Sequence, residues 1–294
     1  MEKIQQALER ARRARVAALK RRRQTGWNGA SRLDELKIDY ERTRVVPAAS
    51  EVLQRNRIIA GHDDDPSFES FRILRTQLLA RLEALGGNAV AVCGASQGEG
   101  KTLVAVNLAI SVARQVNRSA LLVDLDLRNP SVHHCFGIQP AAGISDHLAG
   151  EAPLEACLIN PGIERLVLLP QIARIADSSE LLAAPRMATL ARELKERYPD
   201  RIVIFDCPPL LMTNDSLIIM DYADGCLLVI QEGRTRRAQV ERAVELIGEE
   251  RFLGSVLNNA RSGPASGYYY GYGYGYGYGQ KRANGWFRRK SPLS

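Results

Sequence analysis

Short apolar, β-branched runs recur through the middle of the chain, at Ala89–Cys93, Ala120–Leu125, Leu166–Leu169, Ile202–Phe205, Leu227–Ile230 and Ser255–Leu257. Longer stretches with helical patterning, such as Leu103–Val116, Met187–Tyr198 and Arg236–Glu249, lie between them. Runs this short, with no polar residue alternating through them, fit strands buried on both faces, and the intervening helices would supply the cover. The pattern predicts an α/β fold over residues 61–261, a doubly wound, mostly parallel sheet in a single domain.

Outside that block the pattern changes. Residues 1–23 read as a helix, with Ile4, Ala7, Leu8, Ala11 and Ala18 near one face and arginines around the rest. A basic amphipathic helix of this kind suits an anionic membrane surface or a partner protein. Its apolar face is mostly alanine, so a solvated helical arm fits as well. Residues 24–60, with Gly26, Gly29, Pro47 and scattered charge, read as a linker. Residues 262–279, SGPASGYYYGYGYGYGYG, hold Tyr268, Tyr269, Tyr270, Tyr272, Tyr274, Tyr276 and Tyr278, seven of the ten tyrosines in the chain. Alternating glycine raises the ordering cost and leaves no hydrophobic stripe, so a flexible tail is expected there. A basic tail, 280–294, follows.

Composition narrows the function classes. The chain has 294 residues, 45% hydrophobic and 25% charged, enough for a full core. No apolar run approaches the roughly 18–20 residues of a membrane-spanning helix, and the charged N-terminus is unlike a secretory signal. Five cysteines, at 93, 135, 157, 207 and 226, include no C-x-x-C pair, which favours a reducing, cytoplasmic setting. The net charge of +7 suggests nucleic acid until it is mapped. Residues 1–23 hold nine Lys/Arg and two Asp/Glu, and 280–294 hold five Lys/Arg and no acid. Residues 24–279 therefore carry 26 basic and 31 acidic side chains, so the body is mildly acidic and no nucleic-acid partner is expected.

The strongest chemical signal is GASQGEGKT, Gly94–Thr102, directly after a predicted strand and opening a predicted helix. Its glycines let backbone N–H groups approach a polyphosphate, and the helix N-terminus adds a favourable dipole. Lys101 would reach the β- and γ-phosphates, and the Thr102 hydroxyl would bind Mg²⁺. The strict G-x-x-x-x-G-K-[ST] spacing fails at its first place, where Ala95 stands beside Gly94. Two further strands end in acids. LLVDLDLRNP carries Asp124 and Asp126 with Arg128 two residues on, and RIVIFDCPP carries Asp206. In an open parallel sheet, ligands sit beyond the carboxyl ends of the strands, so these aspartates can converge on the loop. A lone strand-end Asp is usually a cap or turn residue; three beside a phosphate loop point to metal and nucleotide chemistry.

Over residues 61–279 the sequence resembles the bacterial tyrosine kinase family, the cytoplasmic autokinases of capsule and exopolysaccharide systems. The resemblance rests on a Walker A loop (Ala95–Thr102), an A′ segment (Val123–Arg128), a Walker B strand (Ile202–Asp206) and the closing tyrosine cluster, with support from 179–187, 224–230 and 254–258. It implies a P-loop NTPase fold of the Walker A/A′/B type with ATP and Mg²⁺ as cofactors. Ser96, Gln97, Gly98, Glu99, Gly100, Lys101, Thr102, Leu103 and Asn258 would then meet ATP, and Thr102, Asp126 and Asp206 the metal. Asp124 would orient and deprotonate the attacking tyrosine, and the tail tyrosines would be the phosphoacceptors. The resemblance also implies that Glu69, Arg72 and Arg75, spaced three apart on a predicted helix, join subunits into a ring. From spacing alone they make an ordinary ion-pair face.

Implied partners are copies of the chain, a separate membrane chain-length regulator, and polysaccharide-biosynthesis proteins as substrates, with the enzyme peripheral at the inner face of the membrane. The sequence departs from the family pattern at Gln97, where proline is common, and at Cys207, where threonine is common; neither change removes a charge. Cys207 reads as a buried structural thiol rather than a nucleophile. His133, His134 and Cys135 are adjacent in sequence and poorly spaced to converge on one metal ion. A partitioning-type ATPase, whose loop carries a lysine where this chain has Ser96, and a nucleotide-gated scaffold are the competing readings.

Overall fold

The computed structural model describes residues 43–59, 66–198 and 200–260. In chain order the elements are β1 (Arg44–Val45), α1 (Ser50–Arg55), α2 (Pro66–Leu85), β2 (Ala89–Gly94), α3 (Lys101–Ala113), β3 (Ser119–Asp124), α4 (Val132–Phe136), α5 (Ile144–Ala149), α6 (Leu154–Cys157), β4 (Ile159–Asn160) and β5 (Leu166–Leu169). Then follow α7 (Ser178–Ala183), α8 (Pro185–Glu196), β6 (Arg201–Asp206), α9 (Asp215–Met220), β7 (Gly225–Gln231), α10 (Arg237–Ile247) and β8 (Phe252–Asn258). The strands form one sheet in the order β1-β4-β5-β3-β6-β2-β7-β8. Every neighbouring pair is parallel except β4 and β5. The mostly parallel α/β fold expected from the sequence is the observed one.

The unbroken apolar runs have a direct structural cause. Successive side chains of a strand point to opposite faces, and here both faces are covered. On β2, Ala89, Ala91 and Cys93 enter one apolar cluster while Val90 and Val92 enter the other. Val203 and Phe205 of β6 divide from Ile202 and Ile204 in the same way. The first cluster is closed by residues of α8, including Met187, Leu190 and Leu194, and by Ile219 and Ile247 from α9 and α10. The second is closed by α3 and by Leu78, Leu79 and Leu82 of α2. Every residue of α3 except Thr102 and Leu103 is buried, as expected of a helix that is apolar all round.

The described part of the expected linker differs from a linker. Val46 donates to the Asn160 carbonyl and Ala48 to the Pro161 carbonyl, extending the β1–β4 pairing. Ile58 is 2% exposed, and burying an isoleucine contributes about 1.5–3 kcal/mol. Asn107 of α3 accepts from the Ile59 amide (2.9 Å) and donates to the Arg57 carbonyl (3.2 Å). A two-residue strand and a six-residue helix are too short to show periodicity, which is why this packing left no pattern. Residues 1–23, 262–279 and 280–294, the tyrosine cluster included, lie outside the described residues. No helix among the described residues is long and apolar enough to cross a membrane.

Candidate active site

Strand β2 delivers the chain to the phosphate loop at its carboxyl end, between β6 and β7. Gly98 (φ 80°) and Gly100 (φ 87°) adopt left-handed conformations that glycine takes without strain. Gly100 caps α3, and a Cβ there would collide with Nδ2 of Asn258. Lys101 is 6% exposed, and its Nζ donates to the Ser96 carbonyl at 2.9 Å. The side chain is thus held within the loop that would carry the phosphates.

Glu99 accounts for the displaced first glycine. Its side chain turns under the loop, where Oε2 accepts from the Ser96 amide at 2.9 Å. A Cβ on Gly94 would strike that same oxygen. Position 94 therefore has to be glycine, while Ala95 is buried in the core.

The acids converge as the strand ends predict. Asp124 and Asp206 are paired in register across β3 and β6, and both are fully buried. Oδ2 of Asp124 accepts from the Ser131 and Val132 amides, each at 3.0 Å. Oδ2 of Asp206 accepts from the Thr102 hydroxyl at 2.6 Å, and the Ser131 hydroxyl donates to Thr102 at 3.2 Å. The Oδ1 atom of each aspartate is buried and meets no protein donor. Asp126 is half-buried, with Oδ1 accepting from the Asn129 amide at 3.0 Å.

The electrostatics follow from that crowding. Burial, then the neighbouring Asp206 charge, pushes the Asp124 carboxyl well above the usual range. Burial also raises Asp206, to about 7, against the Thr102 hydrogen bond. Asp126 is raised by burial as well. The unpartnered Oδ1 of Asp206, on a carboxylate hydrogen-bonded to the Thr102 hydroxyl, suits a hard divalent cation that takes oxygen ligands, and the unpartnered Oδ1 of Asp124 is left to accept a proton. Among the described residues no group of three His, Cys, Asp or Glu side chains is arranged to hold a metal by itself. A cation here would therefore draw on Thr102, phosphate oxygens and water, as Mg²⁺ does in nucleotide sites.

Several contributors were not legible in the sequence. Thr235 donates to Oε1 of Glu99 at 2.7 Å, and Gln239 donates to the Ser96 hydroxyl at 2.9 Å. Asp215, fully buried at the start of α9, accepts from Arg128 Nε (3.1 Å) and from the Ser178 hydroxyl (2.5 Å), tying the A′ segment to two helices. Asn258, by contrast, was expected from the sequence to meet ATP, and it reaches the loop, donating to the Glu99 carbonyl at 2.9 Å.

The remaining candidates lie elsewhere or do other work. Glu69 and Arg72 form an exposed ion pair at 3.2 Å on α2. Arg75 instead turns inward, and its guanidinium donates to the Ser111 carbonyl of α3 at 2.7 Å. Cys207 is buried, and burial pushes its thiol well above the ordinary value, so it is no activated nucleophile.

Comparison with known proteins agrees with this geometry. A family model described as an AAA domain matches residues 87–248. The tyrosine-protein kinase YwqD of Bacillus subtilis (strain 168) is 32% identical over 220 residues, covering 74% of this chain and 92% of that protein. The tyrosine-protein kinase wzc of Salmonella typhimurium is 29% identical over 243 residues, covering 81% of this chain but only 33% of its own length. Among solved structures, the kinase domain of the Escherichia coli tyrosine kinase ETK matches with a TM-score of 0.66 at 25% identity, over 80% of this chain and 94% of that one. The chain thus spans nearly all of the Bacillus relative and a third of the Salmonella one. Similarity of this extent, running through the strand ends that carry the loop and its aspartates, shows that the chain belongs to the bacterial tyrosine kinase family.

Proposed function

We propose that the chain is an ATP-dependent protein-tyrosine autokinase that phosphorylates the tyrosines of its own 262–279 segment in trans within an oligomer. The observation that carries this reading is the free Oδ1 of a fully buried Asp124, beside Thr102 and Asp206, in a chain with seven tyrosines in one short segment. Lys101 and the loop amides bind the β- and γ-phosphates, and Asn258 meets the adenine. Thr102, Asp126 and Asp206 hold Mg²⁺, directly or through water, and the ion supplies charge neutralisation at the phosphate oxygens. Asp124 orients the acceptor hydroxyl. It takes the phenolic proton as the tyrosine oxygen bonds to the γ-phosphorus and the bond to the β-phosphate oxygen breaks, leaving ADP. A carboxylate whose proton affinity is raised by burial is better matched to that transfer than a solvated one.

The acceptors Tyr268, Tyr269, Tyr270, Tyr272, Tyr274, Tyr276 and Tyr278 are presented by another copy of the chain. Glu69 and Arg72 offer the exposed part of the subunit contact, and Arg75 braces their helix from within. The setting proposed is exopolysaccharide or capsule synthesis at the inner face of the membrane, under a separate membrane activator, with polysaccharide-biosynthesis proteins as further substrates.

Incubating the purified chain with Mg·ATP and mapping the tail by mass spectrometry tests this directly. Phosphotyrosine within 262–279 is expected, and Lys101→Met should abolish it. Unmodified tyrosines in an assembled, ATP-binding sample would return the chain to a partitioning-type ATPase. Assembly through the tail that survives Lys101→Met, with no modification in the wild type, would favour the scaffold.

A further inference from the structure

We infer that the turn between β7 and α10 is a clasp that holds the phosphate loop in its nucleotide-receiving shape, with Thr235 and Gln239 as its positioning residues. The inference deepens the proposed function, since it rests on the loop's being a nucleotide site. A loop that needs two left-handed glycines has much conformational freedom to lose, and unless it is braced that loss is charged to nucleotide binding. Glu99 adds a second difficulty, because a carboxylate buried to 1% exposure sits inside a site meant for anions. An unpaired charge there would be costly in itself and would repel phosphate.

The clasp answers both. Oε2 of Glu99 takes the Ser96 amide and Oε1 takes the Thr235 hydroxyl, so both oxygens are engaged and drawn beneath the loop at Gly94. Asn258 holds the Glu99 carbonyl, and Gln239 holds the Ser96 hydroxyl. Each clasp residue also fixes its own turn. The Thr235 hydroxyl oxygen accepts from the Gln231 amide at 3.0 Å, and Oε1 of Gln239 accepts from the Arg236 amide at 2.9 Å, capping α10. The same side chains therefore tie the turn to the loop. Arg234 lies alongside, with Nη1 2.9 Å from where a Cβ on Gly98 would stand. The hydrogen bonds of Thr235 and Gln239 go to Glu99, Ser96 and their own turn. Their effect should appear in nucleotide affinity rather than in the transfer step.

The test is titration of the full chain with the fluorescent N-methylanthraniloyl derivative of ADP plus Mg²⁺, paired with KM and kcat for tail phosphorylation. Thr235→Val should raise Kd and KM for nucleotide about ten-fold, with kcat at saturating ATP within about two-fold of wild type. Thr235→Ser, which restores the hydroxyl, should return both to within about two-fold. Gln239→Met should weaken binding in the same direction, with the lost α10 cap lowering the thermal midpoint of the nucleotide-free chain by only about 2–4 °C, and it decides the matter if Thr235→Val does not fold. Unchanged affinity in Thr235→Val, or no rescue by Thr235→Ser, overturns the inference while leaving the kinase reading intact. A wild-type chain that binds no nucleotide overturns both.

Discussion

Burial pushes the Asp206 carboxyl up to about 7, with the Thr102 hydrogen bond pulling the other way and Asp126 adding to the rise. An aspartate in the unfolded chain titrates near ~3.9. Between those two values the unfolded chain has released a proton that the native site still holds. Stability falls with rising pH wherever the native state binds more protons, so the metal-free protein should lose stability from about pH 4 to pH 7. Asp124, shifted in the same direction by burial, acts with the same sign. Mg·nucleotide requires ionised carboxylates, so its binding competes with those protons. The rise in thermal midpoint on adding Mg·ADP should accordingly be larger at pH 8 than at pH 6. In Asp206→Asn that contrast should shrink, and the metal-free pH slope should lose the Asp206 share while keeping the part that Asp124 carries. An Mg·ADP shift of equal size at both pH values would show that the aspartate is already ionised without metal.

Elements became legible in proportion to how much of their environment their own residues record. Five of the six strands stood out because both of their faces are buried, which writes an unbroken apolar run; the sixth, β8 at the sheet edge, is only partly buried and extends beyond its short apolar run, from Phe252 to Asn258. The loop and the strand-end aspartates were legible because each is contiguous in sequence. Thr235 and Gln239 were not, because they come to the loop from 136 and 143 residues away and are residue types common in turns and caps. The stretch from Arg44 to Ile59 was illegible for another reason, since its hold depends on a partner's side chain. Among the described residues, Asn107 satisfies the Ile59 amide and the Arg57 carbonyl from the buried side of α3, the helix that begins at Lys101. Replacing it with leucine leaves two backbone groups unpaired, at a cost on the order of 2–3 kcal/mol. Asn107→Leu should lower the urea midpoint, and amides of 43–59 should lose hydrogen-exchange protection before those of the central strands. Equal protection in mutant and wild type would mean the segment is held by its apolar contacts alone.

On the scale of the whole chain, the net charge of +7 is a balance between unlike parts. The two ends are strongly basic and residues 24–279 are mildly acidic, so anything that changes charge near one end changes the sign of that end's attraction rather than trimming a uniform field. Each phosphotyrosine carries about −1.5 to −2 at pH 7. By that figure about three would cancel the five positive charges of residues 280–294, and about four would outweigh the net charge of the chain. Exposed charges act over a Debye length of about 10 Å at 0.1 M salt, so the effect belongs to low ionic strength. With vesicles containing anionic lipid, the unmodified chain should bind more tightly than the tail-phosphorylated chain at low salt, and the two should converge as salt is raised. The basic segment 1–23 remains in both forms, so deleting 280–294 should remove most of the difference without removing all binding. If modified and unmodified chains bind the vesicles equally at low salt, the charge contrast between the ends and the body has no part in where the kinase resides.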